Sequence, residues 1–461
     1  MYTTYCDSMG SKGFEKLWFS EPFIYISSTG AFLTRWEIVQ AAEKLSDILF
    51  RPDHSQSVSG LILYEQRHHF LIALLALALN KGAAILPPDL TSNALNKLTS
   101  SNPKLVVLAD NAPAELQTQS TIQSHQIDAA LAHVKSNPLP FSANKLNNTL
   151  SSISDAKILL YTSGTTGEPK EIIKTWNEMT LSALVAIERF NLQEPTYIVG
   201  TVPSQHMFGL ETTIFWPLFS KATLWCGRPI FPEDIIAALS VNNTQPGLLV
   251  STPLHLDKIS AFELNWPKHL SRILSATAPL LPELAEQVEQ KLKVQLFEVY
   301  GSTETASIAS RQTARSDLWT CYSNIEFKPL ENGRYSVKTP GSECYHALND
   351  QIELDEDNTF KLGKRDSDLI KIAGKRASLT ELNYHLNAIE GVIEGTFLLP
   401  ISAQRLTLFV VTSLSRETLL LELRKSVDSV FLPRPIIFLD ALPRSNVGKI
   451  SLTHLNALLE P

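Results

Sequence analysis

Tyr161-Thr162-Ser163-Gly164-Thr165-Thr166-Gly167-Glu168-Pro169-Lys170 follows the apolar run Lys157-Ile158-Leu159-Leu160. Two glycines allow backbone N–H groups to turn toward one point, the Thr and Ser hydroxyls add donors, and Lys170 adds a positive charge. This combination is a cradle for phosphate oxygens. It is not a Walker A loop: counted from Gly164, that loop needs Gly where Pro169 stands and Ser or Thr where Glu171 stands. A polar, Gly-rich surface turn rarely joins this hydroxyl density to a terminal lysine. Downstream, Thr175 to Glu178 spells a capping box, so a helix is expected to open there.

Outward from the loop, short apolar runs alternate with helical patterns. Ile24-Tyr25-Ile26, Leu61-Ile62-Leu63-Tyr64, Ala84-Ile85-Leu86 and Leu105-Val106-Val107-Leu108 read as strands. A capping box from Thr34 to Glu37 opens a helix toward Leu49, and residues 69–80 form an apolar helix. The Gln- and Ser-rich stretch 112–156 shows little apolar periodicity and is expected to bridge two parts of one domain. Strands resume near 157–161, 197–201, 222–225, 247–251, 272–275 and 295–299. This alternation implies parallel βα layers. Ile325 to Leu362, broken at Glu331-Asn332-Gly333 and at 355–358, reads as a hairpin-built β unit. Beyond Arg365, strands at 406–412 and 435–439 flank a helix at about 416–428. The expected fold is α/β: a large N-terminal domain over residues 1–365, with parallel-sheet layers and a small β unit, then a small mobile α+β domain over 366–461.

Composition excludes several classes. With 44% hydrophobic residues and a formal charge of −7, the chain is neither disordered nor suited to nucleic acid as its main partner. Cys6, Cys226, Cys321 and Cys344 make no CxxC pair, so neither a disulfide framework nor a zinc knuckle is expected. The longest apolar run, Phe70 to Leu79, is about half a bilayer span. The first residues lack an apolar signal core, and a cytoplasmic protein is expected.

Further motifs follow in order. Gln205-His206-Met207-Phe208-Gly209, Ser275-Ala276-Thr277-Ala278-Pro279-Leu280, Tyr300-Gly301-Ser302-Thr303-Glu304-Thr305, Asp350 ahead of Arg365, and Leu442-Pro443-Arg444-Ser445-Asn446-Val447-Gly448-Lys449-Ile450 succeed the phosphate loop. Together they resemble the signatures of the adenylate-forming superfamily, which contains acyl-CoA synthetases, acyl-AMP ligases, peptide-synthetase adenylation domains and luciferase. The resemblance covers residues 155–455. Three positions depart from it: Ala276 stands at a usual Gly, Leu348-Asn349 replaces the Thr-Gly before Asp350, and Ser367 occupies the usual hinge Asp.

The resemblance implies ATP-dependent activation of a carboxylic acid to an acyl adenylate, with Mg²⁺ and release of pyrophosphate. Such a transition state gathers negative charge on the α-phosphate and needs fixed donors and cations rather than a protein nucleophile. By resemblance, Lys449 supplies the cation, Thr303 bonds the α-phosphate, and Glu304 with Thr166 holds the metal. Thr162, Ser163, Gly164, Thr165, Thr166, Gly167 and Lys170 hold the outer phosphates. Thr277, Ala278, Pro279, Tyr300 and Gly301 meet adenine, while Asp350 and Arg365 meet the ribose side. His206, Phe208, Ala306, Ser307 and Ile308 line the acid pocket.

The stretches Tyr300–Arg311, Asp350–Leu354 and Lys375–Glu381 are similar to bacterial AMP-ligases of aryl polyene and xanthomonadin-type clusters. That resemblance implies an aryl or acyl acid passed to the phosphopantetheine of an acyl carrier protein. Gly374, Lys375 and Arg376 form a basic Gly-centred turn that could receive the pantetheine arm. A free acyl- or aryl-CoA ligase is the alternative. A catalytically silent nucleotide-binding module would be expected to lose Lys449 or Glu304, and both are present.

Overall fold

In the computed structural model the described residues are 19–49, 58–87, 95, 98, 100, 105–116, 119–163, 169–355, 357–365, 369–372, 375–400, 405–445 and 448–459. The chain divides into two compact units, Met1–Glu326 with Lys338–Tyr345, and Phe327–Val337 with His346–Pro461.

The first unit is built on two mainly parallel sheets. One runs in the order Ser120–Ile122, Val106–Leu108, Gly60–Ile62, Ala84–Leu86, Lys157–Ser163, Pro169–Thr175. Its strands are parallel through Lys157–Ser163, and only the last pair is antiparallel. The other carries, in order, Leu318–Cys321, Ala306–Arg311, Gln295–Ser302, Leu270–Ser275, Gly247–Ser251, Tyr197–Gly200, Thr223–Trp225, Pro22–Ile26 and Ala31–Thr34. Helices fill the faces. Arg67–Leu79 is buried around nearly its whole circumference, as an apolar run too short to span a membrane should be. Its first residue, Arg67, is buried and donates through Nη2 to the carbonyls of Gly200 (2.8 Å) and Val202 (3.1 Å), tying this helix to the second sheet.

Local chemistry sets the helix starts. In both capping boxes the glutamate accepts from the cap residue's N–H at 2.7 Å, and the threonine hydroxyl accepts from the glutamate's N–H at 3.1 Å. One expectation needs correction, and one strand was unforeseen. The stretch 112–156 is structured: Ser120–Ile122 edges a sheet, and Ser124–Ser136 is a helix that buries Ile127, Ala130, Leu131 and Val134. That i, i+3, i+4, i+7 stripe is helical periodicity, thinned by polar neighbours. The helix expected at Thr175–Glu178 opens there, as Trp176–Arg189, but a strand that was not expected comes before it. Strand Pro169–Thr175 intervenes, pairing Thr162 with Lys170 and Ser163 with Pro169.

In the second unit Tyr335–Lys338 pairs with His346–Ala347, and Asp350–Leu354 forms a hairpin with Thr359–Arg365. A separate three-stranded sheet sets Val392–Leu398 antiparallel and Ile436–Phe438 parallel to Thr407–Thr412. Helices Leu379–Asn387 and Arg416–Leu423 cover one core of Leu382, Leu386, Phe397, Leu408, Leu419 and Ile436. No helix among the described residues is long and apolar enough to cross a membrane.

Candidate active site

The motif Tyr300–Thr305 lies where strand Gln295–Ser302 turns back into the antiparallel strand Ala306–Arg311. The turn is closed by reciprocal bonds: Ser302 N–H donates to Thr305 Oγ1 at 3.0 Å, and Thr305 N–H to Ser302 Oγ at 3.2 Å. Ala306 adopts φ +58°, and a Cβ on Gly301 would stand 2.1 Å from the Ala306 carbonyl oxygen. Only glycine fits there, which gives this motif glycine a steric reason. The turn leaves Thr303 and Glu304 half-buried at its tip. Tyr300 is also half-buried, its ring centred 5.4 Å from that of Trp319, over which Arg311 is placed at 4.6 Å.

The Ser275–Leu280 loop follows strand Leu270–Ser275 and holds Thr277 at φ +80°, a strained conformation for a β-branched residue. Ala278 and Pro279 are exposed. Buried Glu298 pins this loop by accepting from Leu280 N–H at 2.9 Å; Arg311 Nη2 and the Thr313 hydroxyl satisfy its other oxygen at 2.8 Å.

His206 precedes the short helix Met207–Leu210, which continues into a π-helical turn at Glu211–Phe215. Wide turns of this kind are frequent at functional sites. His206 is half-buried and Phe208 buried. Gly209 is sterically required, since a Cβ there would meet the Pro203 carbonyl oxygen at 2.0 Å. Ala306, Ser307 and Ile308 are buried on the strand after Glu304.

Glu211 links these two segments. It is buried and accepts from Ser307 N–H at 3.0 Å and from the Ser307 hydroxyl at 2.6 Å. Burial raises its carboxyl to about 7, opposed by the Ser307 bonds and the Lys174 charge. Lys174, on strand Pro169–Thr175, is buried as well, and its Nζ donates to the Glu304 main-chain oxygen. Burial lowers the Lys174 ammonium, while Glu178, Glu211 and Glu304 act to raise it. Lys170 on the same strand is exposed, with Nζ 4.0 Å from Glu304 Oε1.

In the second unit, Asp350 is buried and sits opposite Arg365 in the hairpin register. Lys449 is exposed on a reverse turn: Ser445 N–H donates to the Lys449 carbonyl at 2.7 Å, and Gly448 turns with φ +77°. Arg444 braces the turn through Nη1 to the Gly448 carbonyl at 2.7 Å and through an ion pair to Glu394. The strand Lys375–Ser378 carries Lys375 and Arg376. Gly164, Thr165, Thr166, Gly167, Gly374 and the joint at 366–368, with Ser367, lie outside the described residues; Thr162 and Ser163 close strand Lys157–Ser163.

The structure therefore places Tyr300, Thr303, Glu304 and the Ala306–Ile308 strand on one strand–turn–strand of the first unit, with Lys170 Nζ 4.0 Å from the Glu304 carboxylate. Glu304 suits a hard cation: it is a partly exposed carboxylate on a fixed turn, and such ions take one or two carboxylates and complete their shell with phosphate oxygens and water. Sequence reasoning missed Lys174, Glu211 and the pinning role of Glu298. Glu211 left a signal, as the only charged residue in the run 207–219.

Residues 21–343 match the profile of the AMP-binding enzyme family. The chain belongs to that family. It is 23% identical to the peroxisomal OPC-8:0-CoA ligase 1 of Arabidopsis thaliana, over 92% of this chain and 88% of the relative. It is likewise 23% identical to the D-alanine–D-alanyl carrier protein ligase of Bacillus cytotoxicus, over 87% and 88%. Among solved structures, an ATP-bound chimera of RpMatB and BxBclM superposes with TM-score 0.77 at 18% identity, covering 99% of both chains. The o-succinylbenzoate CoA synthetase of Bacillus subtilis, bound to ATP and magnesium, superposes with TM-score 0.73 at 19% identity over 93% and 95%. The α/β fold with large N-terminal sheets and a small C-terminal α+β domain is shared with these structures, and the chain is an adenylate-forming ligase of the acid–thiol class.

Proposed function

We propose that this family member adenylates an aryl or acyl carboxylic acid and passes the acyl group to the phosphopantetheine thiol of an acyl carrier protein, as in aryl polyene and xanthomonadin-type pathways. The observation that carries the adenylation half is the Glu304 turn, fixed at its main chain by Lys174 and facing Lys170 with its carboxylate.

In this reading the substrate carboxylate attacks the α-phosphorus of ATP and the bond to pyrophosphate breaks. Lys449 meets the charge that gathers on the α-phosphate, and Thr303 donates to it. Thr162, Ser163, Thr165, Thr166 and Lys170 grip the outer phosphates. Bound Mg²⁺, held by Glu304 and Thr166, would neutralise phosphate charge. Tyr300, set against Trp319, presents a flat face to adenine beside the strained Thr277, and Asp350 accepts from the ribose hydroxyls. His206, Phe208 and Ala306 to Ile308 wall the acid, a mix of small, aromatic and polar groups that suits a hydroxylated ring. The lid begins after Arg365 and turns at 366–368, offering Lys449 for adenylation and the Gly374–Arg376 turn for thiol transfer.

Acid-dependent ATP–pyrophosphate exchange over hydroxybenzoates, cinnamates, fatty acids and amino acids tests this. Exchange confined to aryl acids is expected; exchange only with amino acids would overturn the substrate class. A free CoA ligase is the second reading, supported by the Arabidopsis relative. Intact mass after offering CoA or phosphopantetheinylated carrier separates the two.

A further inference from the structure

Two buried ionisable side chains lie in none of the motifs, yet both hold the turn that carries Glu304. Lys174 and Glu211 are each 2% exposed. On strand Pro169–Thr175, residues two apart share a face. Lys170, Ile172 and Lys174 lie on one face, and Ile173, 50% exposed, lies on the other. One strand face thus reaches Glu304 twice, with Lys170 toward its carboxylate and Lys174 bonded to its carbonyl. Glu211 acts on the far side of the same turn. From the π-helical segment after His206 and Phe208, it takes both donors of Ser307, three residues beyond Glu304.

Buried ionisable side chains are poor stabilisation, because apolar residues of the same volume often serve as well or better. Fold stability therefore does not account for them, whereas fixed geometry does. We infer that Lys174 and Glu211 are paired positioning residues for adenylation. Lys174 sets the Glu304 turn against the phosphate-loop strand, and Glu211 sets the Ser307 strand against the His206–Phe208 wall. The inference rests on the reading above, in which Glu304 faces the metal–nucleotide and Ser307 the acid.

The test uses the full chain with Lys174→Met, Glu211→Gln and the double variant. Three quantities are measured: melting temperature, MgATP affinity by calorimetry without acid, and acid-dependent exchange. Lys174→Met strands buried Glu211 and is expected to melt lower than the wild type; at temperatures where it stays folded it should also bind MgATP about 10- to 100-fold more weakly, the usual scale for residues that orient metal ligands. Glu211→Gln should keep MgATP affinity and raise KM for the acid. The double variant should lose less in exchange than the product of the single losses, because coupled residues are not additive. Variants that melt lower but bind and turn over normally would make the pair merely structural and overturn the inference. Fully additive losses would overturn the pairing. If a variant fails to fold, Lys174→Arg and Glu211→Asp carry the same test, with intermediate losses expected. Wild-type silence with every acid would defeat the proposed substrate reading, while weakened MgATP binding by Lys174→Met would still uphold the role of Lys174.

Discussion

Two reverse turns carry Glu304 and Lys449, and they are built in opposite ways. The turn bearing Glu304 is held from inside the first unit by partners 130 and 96 residues away along the chain, Lys174 on Glu304 and Glu211 on Ser307. Among the described residues, the turn bearing Lys449 shows bonds within its own hairpin and to its own unit. Arg444 bridges to Ile450, Ser445 bonds the Lys449 carbonyl, and Arg444 ion-pairs with Glu394. A group that must wait in one place for metal and phosphate gains from deep anchoring, because preorganised electrostatics costs no rearrangement during the reaction. A group proposed to arrive with a lid needs a turn that keeps its shape without help from the destination.

The sharpest way to break this contrast is Lys449→Ala. It should cost about 3 kcal/mol of transition-state stabilisation in adenylation, seen as a large fall in pyrophosphate exchange. Thioester formation from a supplied acyl adenylate should survive. Normal exchange would remove Lys449 from the site.

Gly301→Ala probes the opposite turn. Its new Cβ would strike the Ala306 carbonyl, so stability should fall by about 1–3 kcal/mol, the usual cost of overpacking. Exchange should fall further than stability alone explains. Thermal melts that match the wild type would show that this turn relaxes easily and is not preorganised.

The smallest effect sharpens the comparison through pH. The Glu211 carboxyl is raised from its ordinary 4.5 to about 7 by burial, facing Lys174, Ser307 and Tyr322. The folded chain therefore holds a proton that the unfolded chain releases between those values. Stability linked to this group is full at lower pH and is lost as pH rises toward about 7, at roughly 1.4 kcal/mol per pH unit at the steepest. Urea titrations from pH 5 to 8 should show the wild type losing ground to Glu211→Gln across that window and levelling above it. Parallel curves would mean that Glu211 is ionised throughout.

Much of the fold was legible because its signals are local. Both capping boxes formed where Thr34 and Thr175 place a hydroxyl three residues before a glutamate. The strands at 84–86, 157–161 and 247–251 appeared where short apolar runs lay between turns. The helix at 124–136 was obscured because Gln, Asp and His interrupt a narrow buried stripe. The strand after the phosphate loop was hidden because Lys170, Glu171 and Lys174 make Pro169–Thr175 read as polar.

By itself, the sequence offered the chemical groups: a Gly- and hydroxyl-rich segment ending in Lys170, Glu304 in a Tyr-Gly-x-Thr-Glu motif, and Lys449 in a Gly-Lys turn. Residue type and near-neighbour spacing suffice for that, since caps, turns and donor groups act over a few residues. Only the tertiary structure decided that Lys174 and Glu211 are buried and aimed at the Glu304 turn. Burial and the partner of a buried charge depend on which distant segments pack together, and no short stretch of chain records that.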